Sequence, residues 1–87
     1  MLEELLGEVV VVDLRSHYVC LGRLDRIHEL YLELSDADLH DLRDTRTSRE
    51  NYVAASLSTG IKRNRRRLLL ARGDMVAISR AADVVDD

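Results

Sequence analysis

The sequence predicts a mainly β fold: a small, strongly bent, five-stranded antiparallel barrel with an N-terminal helix and a short helical insertion before strand four. Three observations carry that prediction. Glu8-Val-Val-Val-Val-Asp13 is a β-branched run, the composition of a strand covered on both faces. Leu30, Leu32 and Leu34 alternate with Tyr31, Glu33 and Ser35, the period of a half-buried strand. Two further apolar runs, Leu68 to Ala71 and Met75 to Ser79, meet at Arg72-Gly73-Asp74. A corner that tight suits Gly73, which takes positive φ at no steric cost, and Asp74, a common turn residue.

The remaining elements follow in chain order. Met1 to Leu6 places apolar residues at 1, 2, 5 and 6 before Gly7, which predicts one or two helical turns and a stop. Leu14-Arg15-Ser16 connects the first strand to a long second one, His17 to Ile27, in which Gly22 marks a bend or bulge. Asp36 to Thr47 is polar and reads as a loop. Thr47-Ser48-Arg49-Glu50 offers a capping box with Ser48 as a competing cap, and Gly60-Ile61 resembles a glycine C-cap with an apolar contact. The reading is therefore a helix over 48–58, inside an insertion of roughly 38–62; a strand over Tyr52 to Ser56 is the alternative. Val84-Val85 ends the last strand or docks against a neighbour.

Eighty-seven residues make one domain, 1–87, with a thin core. Tyr18, Tyr31 and Tyr52 are the only aromatics other than histidine, so aliphatic side chains must fill that core. Association between copies would bury more of them, and a homo-oligomer is expected. Cys20 stands alone, which excludes an intrachain disulfide and a four-cysteine zinc site. Met1 to Leu6 carries Glu3 and Glu4 and is too short for a cleavable leader. No run approaches a membrane span, and the default compartment is a reducing cytoplasm.

Net charge is −3, unlike a general nucleic-acid coat, but its distribution is uneven. Ile61 to Gly73 holds six basic residues, Lys62, Arg63, Arg65, Arg66, Arg67 and Arg72, and no acidic one. Asp36 to Asp44 and the tail Asp83 to Asp87 are acidic, which predicts a positive end and a negative end. The basic run suits phosphates, or serves only solubility. Arg72 at the rim of a sheet suits base stacking, or a salt bridge to Asp74 or to a neighbour's carboxylate.

Asp36, Asp38 and His40, with Asp41, superficially offer metal ligands, but without the glycine and spacing of a calcium loop. No phosphate-cradling glycine loop and no glycine-flanked serine nucleophile occurs. A non-enzyme without cofactor or metal is expected.

The strands and their punctuation resemble the Sm-like (LSm) family. The first motif corresponds to Val9 to Val12, Gly22-Arg-Leu24 and Leu30-Tyr-Leu-Glu-Leu-Ser-Asp-Ala37. The second corresponds to Leu68 to Ala71, Arg72-Gly73-Asp74 and Val76-Ala-Ile78. The resemblance implies rings formed by edge-strand pairing, with uridine-rich single-stranded RNA bound inside. It carries over to Arg72 and Gly73 as RNA-binding residues. In the loop after strand two the family has an Asp and a base-reading Asn. This chain has Ile27-His-Glu-Leu-Tyr31, one residue shorter and without Asn. His28 falls near the Asp position, and Glu29 would repel a phosphate. The expected RNA-binding set is therefore Arg72, Gly73, His28 and Tyr31 with Lys62, Arg63, Arg65 and Arg66, forming one basic rim. The alternative is a protein-interaction scaffold of the same fold that binds no RNA.

Overall fold

The computed structural model describes residues 1–85. Five antiparallel strands form one sheet: Val9–Leu14 (β1), Tyr18–Ile27 (β2), Tyr31–Asp41 (β3), Arg65–Ala71 (β4) and Met75–Arg80 (β5). Their order is β4-β3-β2-β1-β5, so β4 and β5 remain the free edges of an unclosed, bent sheet. One helix, Arg49–Thr59 (α1), lies between β3 and β4. The N-terminal helix is a single 3₁₀ turn, Leu2–Leu5. Asp86 and Asp87, the end of the acidic tail, lie outside the described residues.

Both faces of the sheet are packed, as the β-branched run predicts. Val10, Val12 and Leu14 of β1 enter the inner core with Cys20, Leu24, Leu32, Leu34 and Leu70. Val11 faces the other way and meets Val19, Leu21 and Val53 of α1. Period-two alternation thus sends neighbouring valines into two different cores. Cys20 is buried, and that burial, reinforced by the Asp38 charge, pushes its thiol up to about 12, so it acts as an inert small hydrophobe.

Gly22 is a point of close approach. The β2–β3 register shifts between Leu21 and Arg23, opposite Asp36, whose φ is +49°. A Cβ on Gly22 would lie 2.9 Å from Ala37 Cβ and 3.0 Å from Ala37 Cα. Only glycine allows the two strands to bend together there.

Three expectations need correction. The predicted loop Asp36 to Thr47 is strand as far as Asp41, followed by a 3₁₀ turn over Leu42–Asp44, so residues 38–41 belong to the sheet. These polar residues pair with Tyr18 to Leu21 of β2, and tertiary partners satisfy them: Asn64 Nδ2 donates to Asp38 Oδ1 at 3.2 Å and to the Leu39 carbonyl at 3.0 Å. The third strand is also more than half-buried. Glu33 is only 9% exposed, because the side chains of His28 and Arg67 reach across to it. Gly73 does not use positive φ, which glycine adopts only at Gly7 and Gly60 among the described residues. The corner is a 3₁₀ turn, Arg72–Asp74, a right-handed conformation open to any residue.

The helix agrees closely with its reading. Ser48 caps it by accepting from the Asn51 N–H at 3.1 Å. Gly60, at φ +109°, ends it with its N–H on the Ser56 carbonyl at 2.9 Å. The strand alternative over Tyr52 to Ser56 is excluded. Val84 packs into the outer core, after a 3₁₀ turn over Ala81–Asp83 that follows β5.

The two glycines should respond oppositely to alanine. Gly22→Ala should destabilise by about 1–3 kcal/mol through overpacking. Gly73→Ala meets nothing within 4 Å and should leave stability unchanged or raise it by about 0.4–1 kcal/mol through the unfolded chain. Urea midpoints of the two variants check this, and a large loss from Gly73→Ala would contradict the 3₁₀ geometry.

Candidate nucleic-acid interface

The Arg72 corner is built from three backbone junctions. The Arg72 N–H donates to the Leu30 carbonyl at 2.9 Å, and the His28 N–H donates to the Tyr31 carbonyl at 2.8 Å. On the other side the Arg15 N–H donates to the Asp74 carbonyl at 2.8 Å. The β4–β5 turn is therefore tied to the loops that follow both β2 and β1. Tyr31 stands opposite Ala71 in the β3–β4 ladder, which places it one residue from Arg72.

Arg72 Nη1 donates to the carbonyls of His28, at 2.9 Å, and Glu29, at 3.3 Å. Two acceptors fix the guanidinium against the 28–30 loop. The alternative ion pair with Asp74 is not made: Asp74 instead accepts from the Ser16 hydroxyl at 3.3 Å. Arg72, His28 and Tyr31 thus meet at one corner.

His28 is oriented by a residue that reading missed. Its Nε2 lies 3.0 Å from Glu33 Oε1, and Arg67 Nη1 lies 3.7 Å from Glu33 Oε2. The His28–Glu33 contact orients the imidazole, with Nε2 donating to the carboxylate in the tautomer that carries its hydrogen there. The available signal was Glu33's place on the polar side of an alternating strand, five residues after His28.

The basic run lies elsewhere. Ala37 pairs with Arg65 at one end of β4 and Tyr31 with Ala71 at the other. Six residues of strand, about 20 Å at roughly 3.3 Å per residue, separate Arg65 from the Arg72 corner. The predicted single rim is therefore two clusters, because an extended strand carries sequence neighbours apart. Asp36, Arg63, Asn64, Arg65 and Arg66 line an open cleft at the far end, with Lys62 beside the last turn of α1. Arg63 donates to Asp36 Oδ1 at 3.1 Å. The acidic segment and the basic run thus meet, where opposite ends were expected.

Asp36, Asp38 and His40 do not assemble a metal site: among the described residues no group of three or more acidic, histidine or cysteine side chains is placed to hold an ion. Asp38, 2% exposed, accepts instead from the Tyr52 hydroxyl and from Asn64. His40 stacks on the Tyr52 ring with centroids 3.8 Å apart. These contacts latch α1 onto β3. Burial first, and the Asp38 carboxylate second, push the Tyr52 phenol up to about 12. No helix among the described residues is long and apolar enough to cross a membrane.

No protein-family model matches the chain, and no curated protein shows significant similarity to it. Among solved structures the chain is similar to the Sm protein of Pyrococcus abyssii in complex with a uridine heptamer. The TM-score is 0.61 at 18% sequence identity, over 90% of this chain and 89% of that one. That likeness establishes an Sm-like fold.

The raised Tyr52 pKa fixes the sign of a pH effect. A group whose pKa is higher in the folded state stabilises fully below its unfolded value, here the ordinary 10, and stops doing so as pH passes the folded value. Stability should fall between pH 10 and about 12 through this group, and Tyr52→Phe should lose that component. Alkaline denaturation followed by circular dichroism, wild type against Tyr52→Phe, checks it; identical alkaline slopes would refute the latch.

Proposed function

We propose that the protein is an Sm-like homo-oligomer that binds single-stranded RNA, with Arg72, Gly73, His28 and Tyr31 at the turn and Lys62, Arg63, Arg65 and Arg66 as its basic residues. The observation that carries this reading is the guanidinium of Arg72, held by two backbone carbonyls one residue from the ladder partner of an exposed tyrosine. A cation fixed before binding loses little freedom when a base stacks on it. The Sm protein of similar fold was solved with a uridine heptamer, which supports RNA as the ligand class.

Oligomerisation has its own support. An unclosed sheet leaves two unpaired edges, and each carries an exposed apolar side chain, Leu69 at 57% and Val76 at 65%. Pairing β4 of one copy with β5 of the next would satisfy the edge hydrogen bonds and cover both residues. The same feature favours the second reading, a scaffold that assembles without RNA. On that reading Glu29 and the Arg63–Asp36 and Arg67–Glu33 pairs leave too little free positive charge to hold a polyanion.

Titration of labelled oligo-U and oligo-A at low and moderate salt, with assembly mass measured on the same sample, separates the two. RNA binding should weaken as salt rises. Arg72→Ala should weaken it by roughly 5- to 150-fold, the value of about 1–3 kcal/mol for one stacked base. A well-formed oligomer that binds neither RNA at low salt would establish the scaffold reading.

A further inference from the structure

We infer that each chain touches RNA at two separate points on β4, taking bases at the Arg72 corner and phosphates at the opposite end of the strand. This rests on the RNA-binding reading above and assigns its two kinds of contact to different places.

The two clusters differ in chemistry as well as position. The corner has flat groups and little net charge: Arg72, His28 and the exposed ring of Tyr31 share it with Glu29 and with Glu33, which is paired with Arg67. Such a set stacks bases well and attracts a polyanion poorly. The far end is the reverse. Lys62, Arg63, Arg65 and Arg66 are all exposed. No aromatic side chain lines the cleft of Arg63, Arg65 and Arg66. Tyr52, which shares a second cleft with Lys62, is already engaged by Asp38 and His40. Asp36 is the one carboxylate lining the first cleft, and it is already engaged by Arg63 at 3.1 Å. Among the described residues Lys62 and Arg66 make no ion pair. This end neutralises phosphates and has nothing with which to read a base.

The strand between them sets the distance. About 20 Å along β4 corresponds to about six nucleotides at the stacked rise of roughly 3.4 Å, and to fewer for a more extended chain. A short oligonucleotide reaches one cluster only. A longer one bridges both, and its second contact forms at high effective concentration. Affinity should therefore step upward with RNA length, while base preference is set by the corner at every length.

The test is an oligo-U length series, from a dinucleotide upward, bound to full-length wild type, Arg72→Ala and Arg65→Gln/Arg66→Gln across a range of salt. The double glutamine variant should lose the gain with length and reduce the salt slope by roughly 1.4, two single-strand phosphate contacts at about 0.7 each. Its preference for U over A should match wild type. Arg72→Ala should lose the base preference, shrink the length gain as well, because bridging needs both clusters, and change the slope by no more than about 0.7. Because Arg65 donates to the Asn64 carbonyl at 3.1 Å, Lys62→Gln/Arg66→Gln is run in parallel as a pair without internal contacts to disturb. RNA binding by wild type with slope and length gain intact in both glutamine pairs would overturn this inference alone. Absence of binding by wild type at every length would overturn the RNA reading itself.

Discussion

The close approach of Gly22 to Ala37 is the constraint on which the arrangement of this sheet depends. With 2.9 Å between a notional Cβ on Gly22 and that of Ala37, β2 and β3 can approach only if one of them carries no side chain. Asp36 absorbs the mismatch at φ +49°, and the register shifts there. The bulge divides β3 into two stretches with different neighbours. Before it, Glu33 and Ser35 carry a charged surface of His28, Arg67 and Arg23. After it, Asp38 and His40 lie against Tyr52 of α1. One bend thus separates the half of the outer face that α1 covers from the half that leads to the Arg72 corner.

The legible parts of the fold were those where a local pattern and the tertiary environment agree. Val9 to Val12 reads as a strand covered on both faces, and Val10, Val11 and Val12 each find a core, with only Val9 at the strand's start left exposed. The Ser48 and Gly60 caps are local backbone chemistry and need no partner elsewhere. The end of β3 was illegible for the opposite reason. Asp-Leu-His-Asp at 38–41 has the composition of a loop; it is a strand because it pairs with Tyr18 to Leu21 of β2, while Tyr52 and Asn64, 14 and 26 residues from Asp38, satisfy its buried carboxylate. Asn64 also copies a backbone: its side-chain amide donates to the Leu39 carbonyl and accepts from the Leu39 N–H, both at 3.0 Å. Gly73 teaches the complementary lesson. Glycine permits a positive φ without requiring one, and a 3₁₀ turn closed the corner first.

The same distinction governs the candidate site. Arg72, His28 and Tyr31 were grouped from positions 44 and 41 residues apart, and the backbone bonds to Leu30, His28 and Glu29 do unite them. The basic run is near Arg72 in sequence alone, and nearness in sequence is worth least along a strand, where each residue advances about 3.3 Å. A helix of the same length would have advanced less than half as far. Glu33 has only a weak signature, a lone carboxylate on the polar side of an alternating strand, and its part in the site depends on the His28 and Arg67 side chains that bury it.

What a pinned guanidinium adds to a site is order more than attraction. Arg72 lies against the Glu29 carbonyl, and Glu33, reached through His28, is paired with Arg67, so opposite charges nearly cancel at the corner and the field there is weak. The hydrogen bonds to two carbonyls remove the rotamer freedom that a long cationic side chain would otherwise lose on binding, about 2 kcal/mol for arginine. Attraction must then come from charges that are not compensated locally, and those lie at the other end of β4. A β-strand is well suited to that separation. It holds the two clusters at a fixed distance without a linker, and it is the same strand whose outer edge is free to pair with another copy. If copies pair there, assembly and ligand contact share one element, and an oligomer would repeat the spacing between base contact and phosphate contact from chain to chain.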